Sequence, residues 1–227
     1  MNNERMLKAL CPLAVGFLAA AVIGFGVLSR NTPGENAPPA AVVRFYQVHG
    51  TRETAAVWVI GIGLGLLAFY IAGLRTALRQ ANPDHSWLAN AAFAGGMIFV
   101  TGFAVTGITH YAVVQAAHNN RATLASDLNF VDQVIPLPLL LGVGVMALAT
   151  GVAVLTSAML PKWLGVVGIV MGVLPIAGPL GFFSVMALPI YFLILGIVLP
   201  AKLLPHERIK TEPSQHRMSR LIVRSHH

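Results

Sequence analysis

The sequence predicts an all-α fold, a bundle of six transmembrane helices with both termini in the cytoplasm. Of its 227 residues, 56% are hydrophobic and only 10% are charged. A soluble domain of this length cannot bury so much apolar surface. The hydrophobic residues form uninterrupted blocks, and Lys and Arg collect between the blocks. Because lipid offers no partner to backbone polar groups, apolar blocks of about 18 residues or more indicate spanning helices.

The first span is predicted at residues 10–29, after a short cytoplasmic N-terminus at 1–9. Basic residues before an apolar block are also typical of a secretory signal. Its apolar length of ~20 residues exceeds the ~7–15 of a cleavable signal core, which favours an uncleaved span. Cleavage near residues 37–41 is the alternative. In the polar connection at 30–54, residues 40–53 are compatible with a helix that either packs at the surface or lengthens the next span.

Five further spans complete a transmembrane domain at residues 10–204. They are predicted at about 55–74, 88–110, 134–159, 163–180 and 182–200. The Pro- and Gly-rich run at 175–181 separates the last two spans, and a re-entrant pair is the alternative because both are short. Residues 205–227 form a basic tail that we expect to be disordered in the cytoplasm.

The segment from Trp87 to His118 is the longest of these apolar stretches, and we expect it to be the central packing helix. It exceeds the ~20 residues needed to cross a bilayer, so it should project past the membrane. The connection at 119–133 follows it and is expected to fold back onto the bundle. The apolar residues that predict this packing are Leu124, Leu128 and Phe130.

The distribution of basic residues predicts the orientation. Eleven of the 15 Lys and Arg residues lie on the side of the N-terminus, and four lie on the other side. The richer side faces the cytoplasm. Six spans of the cell membrane place both termini on that cytoplasmic side. The four residues on the opposite side are Arg30, Arg44, Arg52 and Arg121.

Small residues at four-residue spacing predict close helix packing. Gly61 and Gly65 form a GxxxG face in the second span, and Gly168 and Gly172 form one in the fifth. No Asp, Glu, Lys or Arg lies in the core of any predicted span. Ion-coupled transporters and proton pumps usually keep an ionisable group at that depth, so this absence argues against both classes.

Imidazole and carboxylate groups cluster at the predicted outer face. The residues are His49, Glu53, His110, His118, Asp127 and Asp132. These are zinc ligand types, but His110 and His118 are about 12 Å apart along a straight helix and the chain has no HExxH motif. We therefore expect hydrogen-bonding interfacial residues and no metal or other cofactor, with a metal site as the alternative. The candidate functional residues are His110, His118, His49, Asp127 and Asp132, and His110 is the first to test.

Three short motifs carry a resemblance to a known group. They are Leu160–Gly165 (LPKWLG), Phe45–Arg52 (FYQVHGTR) and Gly73–Arg75 (GLR). With the apolar pair broken by Gly-Pro, this pattern resembles a large group of uncharacterised actinobacterial multi-pass membrane proteins of unknown function, of the LP(K/R)WLG type. The resemblance covers most of the chain and implies a cell-membrane helical bundle. It assigns no activity and no catalytic residues.

We therefore expect an integral cell-membrane protein of unknown activity, a non-enzymatic component that acts through helix packing or a partner. The first alternative is a small-molecule permease or channel-like subunit, with a path near Thr101, Thr106 and His110. The second is a membrane-embedded enzyme with an outer-face His/Asp site, although Cys11 has no nearby base and no GxSxG motif occurs. The expected partners are the lipid bilayer and a membrane protein or a second copy of the chain. Nucleic acid is not expected, since no basic patch lies in a soluble domain.

Overall fold

The computed structural model describes residues 3–134, 137–158, 160–175 and 180–204, and the regular structure in these ranges is helical. The helices are α1 (Asn3–Ala21), continued by a π-helical segment (Val22–Leu28), α2 (Pro39–Ala81), α3 (Ser86–His118), α4 (Ala122–Val134), α5 (Leu137–Thr156), α6 (Lys162–Val173) and α7 (Gly181–Leu203). A short 3₁₀ turn, Pro83–His85, joins α2 to α3. The all-helical fold class is confirmed. The predicted tail at 205–227 lies outside the described residues.

Five helical stretches are long and apolar enough to cross a membrane, as judged by length and composition over the described residues. They are Glu4–Leu28, Pro39–Ala81, Pro83–His118, Ala122–Thr156 and Gly181–Leu203. The predicted span at 163–180 corresponds to α6, which has 12 residues. At ~1.5 Å per residue α6 measures about 18 Å, less than the ~30 Å of the hydrocarbon layer. Part of the predicted break after α6, residues 176–179, falls outside the described ranges.

α2 and α3 are longer than the spans predicted for them. α2 has 43 residues and α3 has 33. Residues 40–53 therefore lengthen the second span as part of one continuous helix. Pro39 is the first residue of α2, where its missing N–H removes no helical hydrogen bond. Both helices exceed the ~30 Å hydrocarbon thickness, and their projecting ends meet α4 at what we call the α4 end of the molecule.

Glycine allows the backbones of α3, α5 and α6 to approach closely. α5 lies between α3 and α6, while α1 packs against α2 and α7. A Cβ atom at Gly95 of α3 would lie 2.5 Å from the Met146 amide nitrogen of α5. One at Gly168 of α6 would lie 2.9 Å from the Gly151 Cα atom, and Gly172 also faces the α5 backbone. Only glycine fits these contacts without moving a helix.

Among the residues that the structure describes, nothing packs against Gly61 and Gly65 as predicted. Both residues are exposed, and a Cβ atom at either would meet nothing within 4 Å. Gly63 makes the close contact instead, since its Cβ atom would lie 2.7 Å from the Cβ atom of Ala20 in α1. Successive helical residues turn by about 100°, so Gly63 lies on the opposite side of α2 from Gly61 and Gly65. Contact of Gly61 and Gly65 with a partner helix stays a prediction.

The molecule contains two apolar cores. The larger runs through the bundle and includes the fully buried rings of Tyr70, Phe99 and Phe192. The smaller lies at the α4 end, between α2, α3 and α4. Its buried members are Val42, Tyr46, Val113, Val114, Ala116, Ala117 and Ala125. The projecting helix ends therefore fold as a packed layer of their own, beyond the membrane-length part of the bundle.

α4 turns a largely polar side toward the interior. Of the three residues predicted to pack, Leu128 contacts the smaller core, whereas Leu124 is 42% exposed and Phe130 is 49% exposed. The buried positions are Ala125 and Asn129. The predicted packing is therefore wrong for Leu124 and Phe130. The face of α4 that packs on the smaller core carries Ala125, Leu128 and Asn129, and Phe130 lies outside this face.

Candidate functional site

Three ionisable side chains meet at the boundary between the two cores. They are Glu53 from α2, His110 from α3 and Asp132 from α4. His110 Nδ1 lies 2.7 Å from Asp132 Oδ2, and His110 Nε2 lies 3.3 Å from Glu53 Oε2. The side chains of Glu53, Asp132 and His110 are 0%, 7% and 14% exposed. This cluster joins three helices that are remote in sequence, and it is the candidate functional site.

The hydrogen bonds of His110 require a proton on each ring nitrogen. Each nitrogen faces a carboxylate oxygen, and an ionised carboxylate only accepts hydrogen bonds. The imidazolium form donates to both partners. A neutral ring would leave one nitrogen lone pair facing a buried carboxylate. His110 therefore acts as the positive centre between two negative groups, and neither nitrogen is free for another partner.

Glu53 also accepts hydrogen bonds from Ser29, which follows the π-helical segment, and from Arg52 of α2. Ser29 Oγ donates to Glu53 Oε2 at 2.8 Å, and Arg52 donates to Glu53 Oε1 at 2.9 Å. The same guanidinium nitrogen of Arg52 donates to the carbonyl oxygen of Arg30 at 2.9 Å. Ser29 closes the π-helical segment, because its amide donates to the Gly24 carbonyl oxygen at 2.8 Å. The cluster therefore fixes the end of the π-helical segment as well as α2, α3 and α4.

An uncharged hydrogen-bond chain supports the cluster on the side of the smaller core. The Tyr46 ring meets His110 edge to face, with ring centroids 5.6 Å apart. Its hydroxyl donates to Asn129 Oδ1 at 3.3 Å, and Asn129 Nδ2 donates to the carbonyl oxygens of Pro33 and Gly34 at 3.4 and 3.1 Å. Buried polar groups need such partners. The chain ties α4 to α2 and to the connection before α2.

One oxygen atom of the cluster has no hydrogen-bond donor. Asp132 Oδ1 is buried and unpartnered among the residues that the structure describes. A buried carboxylate oxygen without a donor has lost its hydration and gained nothing in return. Asp132 lines a cavity of about 300 Å³. The Nε atom of Arg52, beside Glu53, is also buried without a hydrogen-bond partner in the described part of the chain.

Two cavities adjoin at the cluster. The polar cavity, of about 300 Å³, is lined by residues that include Ser29, Thr32, Thr106, His110, Asp132 and Gln133. A second cavity, of about 390 Å³, lies deeper between α1, the π-helical segment, α2, α3 and α7 and has an apolar lining. Phe25, Ile60 and Phe103 line both cavities. The apolar cavity and the polar cavity are therefore neighbours, with these three side chains at their boundary.

The structure brings together some of the residues singled out from the sequence. His110 and Asp132 are in direct contact, and Glu53, noted with them as an outer-face carboxylate, completes the cluster. Ser29 and Asn129 were not predicted. The signal for Asn129 was available, because Asn129 and Asp132 are three residues apart and share a helix face. Ser29 carried no sequence signal beyond its position at the end of the first span.

The other three candidates lie outside the cluster. His118 is exposed and covers Gly50, where a Cβ atom would clash with the His118 Nε2 atom. The His49 ring packs on Phe45, with centroids 4.8 Å apart. Asp127 is exposed on the outward side of α4. His118 and His49 therefore have packing contacts. In the described part of the chain, none of the three shares a hydrogen-bond partner with His110.

The cluster does not have the arrangement of a metal site or a serine hydrolase. Within the described ranges, no group of three or more His, Cys, Asp or Glu residues is placed to hold a metal ion. Ser29 donates to Glu53 rather than to His110, so no imidazole nitrogen stands ready to accept its proton.

No protein-family model, curated protein or solved structure matches the chain.

Proposed function

We propose that the protein is a non-enzymatic component of the cell membrane that acts by binding a small membrane-soluble molecule. The observation that carries this proposal is the fully hydrogen-bonded His110 beside two adjoining cavities. A general acid or base needs an atom that reaches the substrate, and both nitrogens of His110 are engaged. Cavities of ~300–1,000 Å³ are typical of small-molecule sites. The geometry thus favours binding over catalysis.

The proposal includes six spans with both termini in the cytoplasm, so that the α4 end faces outward. The excess of Lys and Arg on the side of the termini supports this orientation. The tight packing of α6 against α5 supports a place for α6 within the membrane, as the short fifth span. The motif at Leu160–Gly165 supports membership in the actinobacterial LP(K/R)WLG group.

A membrane-protein partner or a second copy of the chain is part of the same proposal. The open face at Gly61 and Gly65 supports it, because GxxxG faces allow helices to approach closely. Trp58 and Ile62 beside this face are 70% and 65% exposed. A partner helix would cover them together with the two glycines.

A permease is the second candidate function. Thr106 and His110 line the polar cavity, which adjoins the apolar one at Phe25, Ile60 and Phe103. Thr101 does not line either cavity, and the Thr106 hydroxyl donates to the Gly102 carbonyl oxygen at 3.2 Å. A permease would move its ligand between the two faces of a vesicle, whereas a binding component would only retain it.

Native mass spectrometry of two matched variants tests the binding function. Val22 lines the apolar cavity, so Val22→Trp should fill it and abolish retention of a co-purifying small molecule. Val105→Trp is the control, because Val105 is also exposed but lines neither cavity. Equal ligand retention by the two variants, or an empty wild-type protein, would refute the proposal.

A further inference from the structure

We propose that the two adjoining cavities together form one site for a single-chain amphiphile whose uncharged head carries hydroxyl groups, as in a monoacylglycerol. The inference rests on the proposed binding function and specifies the chemistry of the ligand. Three observations carry it: the apolar cavity, the unpaired Asp132 Oδ1 atom in the wall residue of the polar cavity, and the charge balance of the cluster.

The apolar cavity fits a hydrocarbon chain. Its lining comes from α1, α2, α3 and α7 and includes Phe17, Leu64, Phe99 and Val185. Two further lining residues, Val22 and Met186, are 55% and 46% exposed, so the cavity reaches the side of the bundle. A chain from the bilayer can enter there without passing the charged cluster. Because the bilayer already keeps the chain out of water, binding gains from van der Waals contacts with the cavity lining.

The wall between the cavities is built by an unusual element. Phe25, which lines both cavities, lies in the π-helical segment. π-helical turns are rare and are frequent at functional sites. The segment ends at Ser29, whose hydroxyl contacts the cluster through Glu53. One short element therefore borders both the apolar space and the polar one.

The polar cavity provides an acceptor for a hydroxyl donor. Asp132 lines it with a side chain that is only 7% exposed, and Asp132 Oδ1 has no donor among the described residues. Protein atoms cover Asp132 Oδ1 in this structure, so a ligand hydroxyl supplies the missing hydrogen bond after the Asp132 carboxylate has turned toward the cavity. Thr32 and Gln133 line the same cavity and offer additional hydrogen-bonding groups. A head with two hydroxyl groups can use Asp132 and one of these neighbours.

The charges of the cluster favour an uncharged head. Glu53 and Asp132 are balanced by the His110 imidazolium and by Arg52, which contacts Glu53 at 2.9 Å. A cationic or anionic head would add a charge without a counterpart at a largely buried position. A neutral hydroxyl donor meets the unpaired oxygen and leaves the balance unchanged. The site should therefore select against both fatty acids and alkylamines.

Competition binding to delipidated wild-type protein in nanodiscs tests the selection. The probe is a radiolabelled monoacylglycerol, and the competitors are a fatty acid and an alkylamine of the same chain length. We expect each charged competitor to bind at least about tenfold more weakly than unlabelled monoacylglycerol, because the charged heads lack a counterpart and the fatty-acid carboxylate also has no donor for Asp132 Oδ1. Asp132→Asn should narrow the difference for the fatty acid, since it removes a negative charge.

The outcomes separate this inference from the function on which it rests. Equal binding of all three amphiphiles, blocked by Val22→Trp, would overturn the head-group inference and keep the binding function. Preference for the alkylamine or the fatty acid would also overturn the head-group inference alone. Absence of saturable binding for every amphiphile would overturn both. The wild-type comparison decides the matter even if Asp132→Asn does not fold.

Discussion

At the scale of single residues, His110 holds the α4 end together. Its two hydrogen bonds connect carboxylates from α2 and α4, which would otherwise face each other in a buried space. Two buried like charges without a cation between them are strongly unfavourable. The contribution of His110 is therefore mainly to neutralise Glu53 and Asp132, and its loss should affect folding before it affects any ligand.

The His110→Ala variant is expected to lose about 3–5 kcal/mol of stability, because it leaves the buried Asp132 carboxylate without its cation and leaves Glu53 with Arg52 and Ser29 alone. Thermal unfolding of the detergent-purified protein measures this. Adding Glu53→Gln and Asp132→Asn to His110→Ala should recover part of the loss, since both charges are removed.

Asp127→Ala is the matched control on α4. The Asp127 carboxylate is exposed, so its removal should change stability by less than about 0.5 kcal/mol. Similar melting temperatures for His110→Ala and Asp127→Ala would show that the cluster does not stabilise the fold.

At the scale of elements, the sequence predicted the helices well and their facing directions less well. Long apolar blocks determine where α2, α3 and α7 lie, because an unpaired backbone is excluded from lipid. The facing direction depends on what a helix meets. α4 buries Asn129 because this side chain bonds to Tyr46 and to the backbone of the connection before α2, and Phe130 falls outside that face. A single sequence does not show those neighbours. The contact between Glu53, His110 and Asp132 was not predicted for the same reason, since a single sequence does not show which helices are neighbours.

The glycine contacts give a second prediction. Gly95→Ala should destabilise the protein by about 1–3 kcal/mol, because the new methyl group would overlap the α5 backbone at Met146. Gly61→Ala has open space and should be neutral or stabilising by up to about 1 kcal/mol, since alanine favours helix more than glycine does. Thermal unfolding of the two variants measures the difference. A tolerated Gly95→Ala would contradict the close approach of α3 and α5.

At the scale of the whole molecule, the chain is a bundle with a packed layer at one end. The layer arises because α2 and α3 continue past the membrane-length part of the bundle, and α4 packs against both of them there. The sequence indicated the extra length of α3 but left residues 40–53 open. Those residues carry both apolar and polar side chains, and either interpretation was physically acceptable until a partner helix was known.

Cysteine labelling of intact cells tests the proposed orientation. In a Cys11→Ser background, Asn36→Cys should react with a membrane-impermeant maleimide, because Asn36 lies in the connection before α2 at the α4 end. Ser214→Cys should react only after the cells are permeabilised. Labelling of Ser214→Cys from outside would reverse the orientation.

The glycine contacts also divide the bundle mechanically. The backbone of α5 is in close contact with those of α3 and α6, so these helices cannot move closer together without a steric clash. The π-helical segment meets α3 through side chains, with the Phe25 and Phe103 ring centroids 5.6 Å apart. Rotation of these rings is easier than displacement of a helix. Rotation of the Phe25 and Phe103 side chains can therefore change the boundary between the apolar cavity and the polar one without moving a helix.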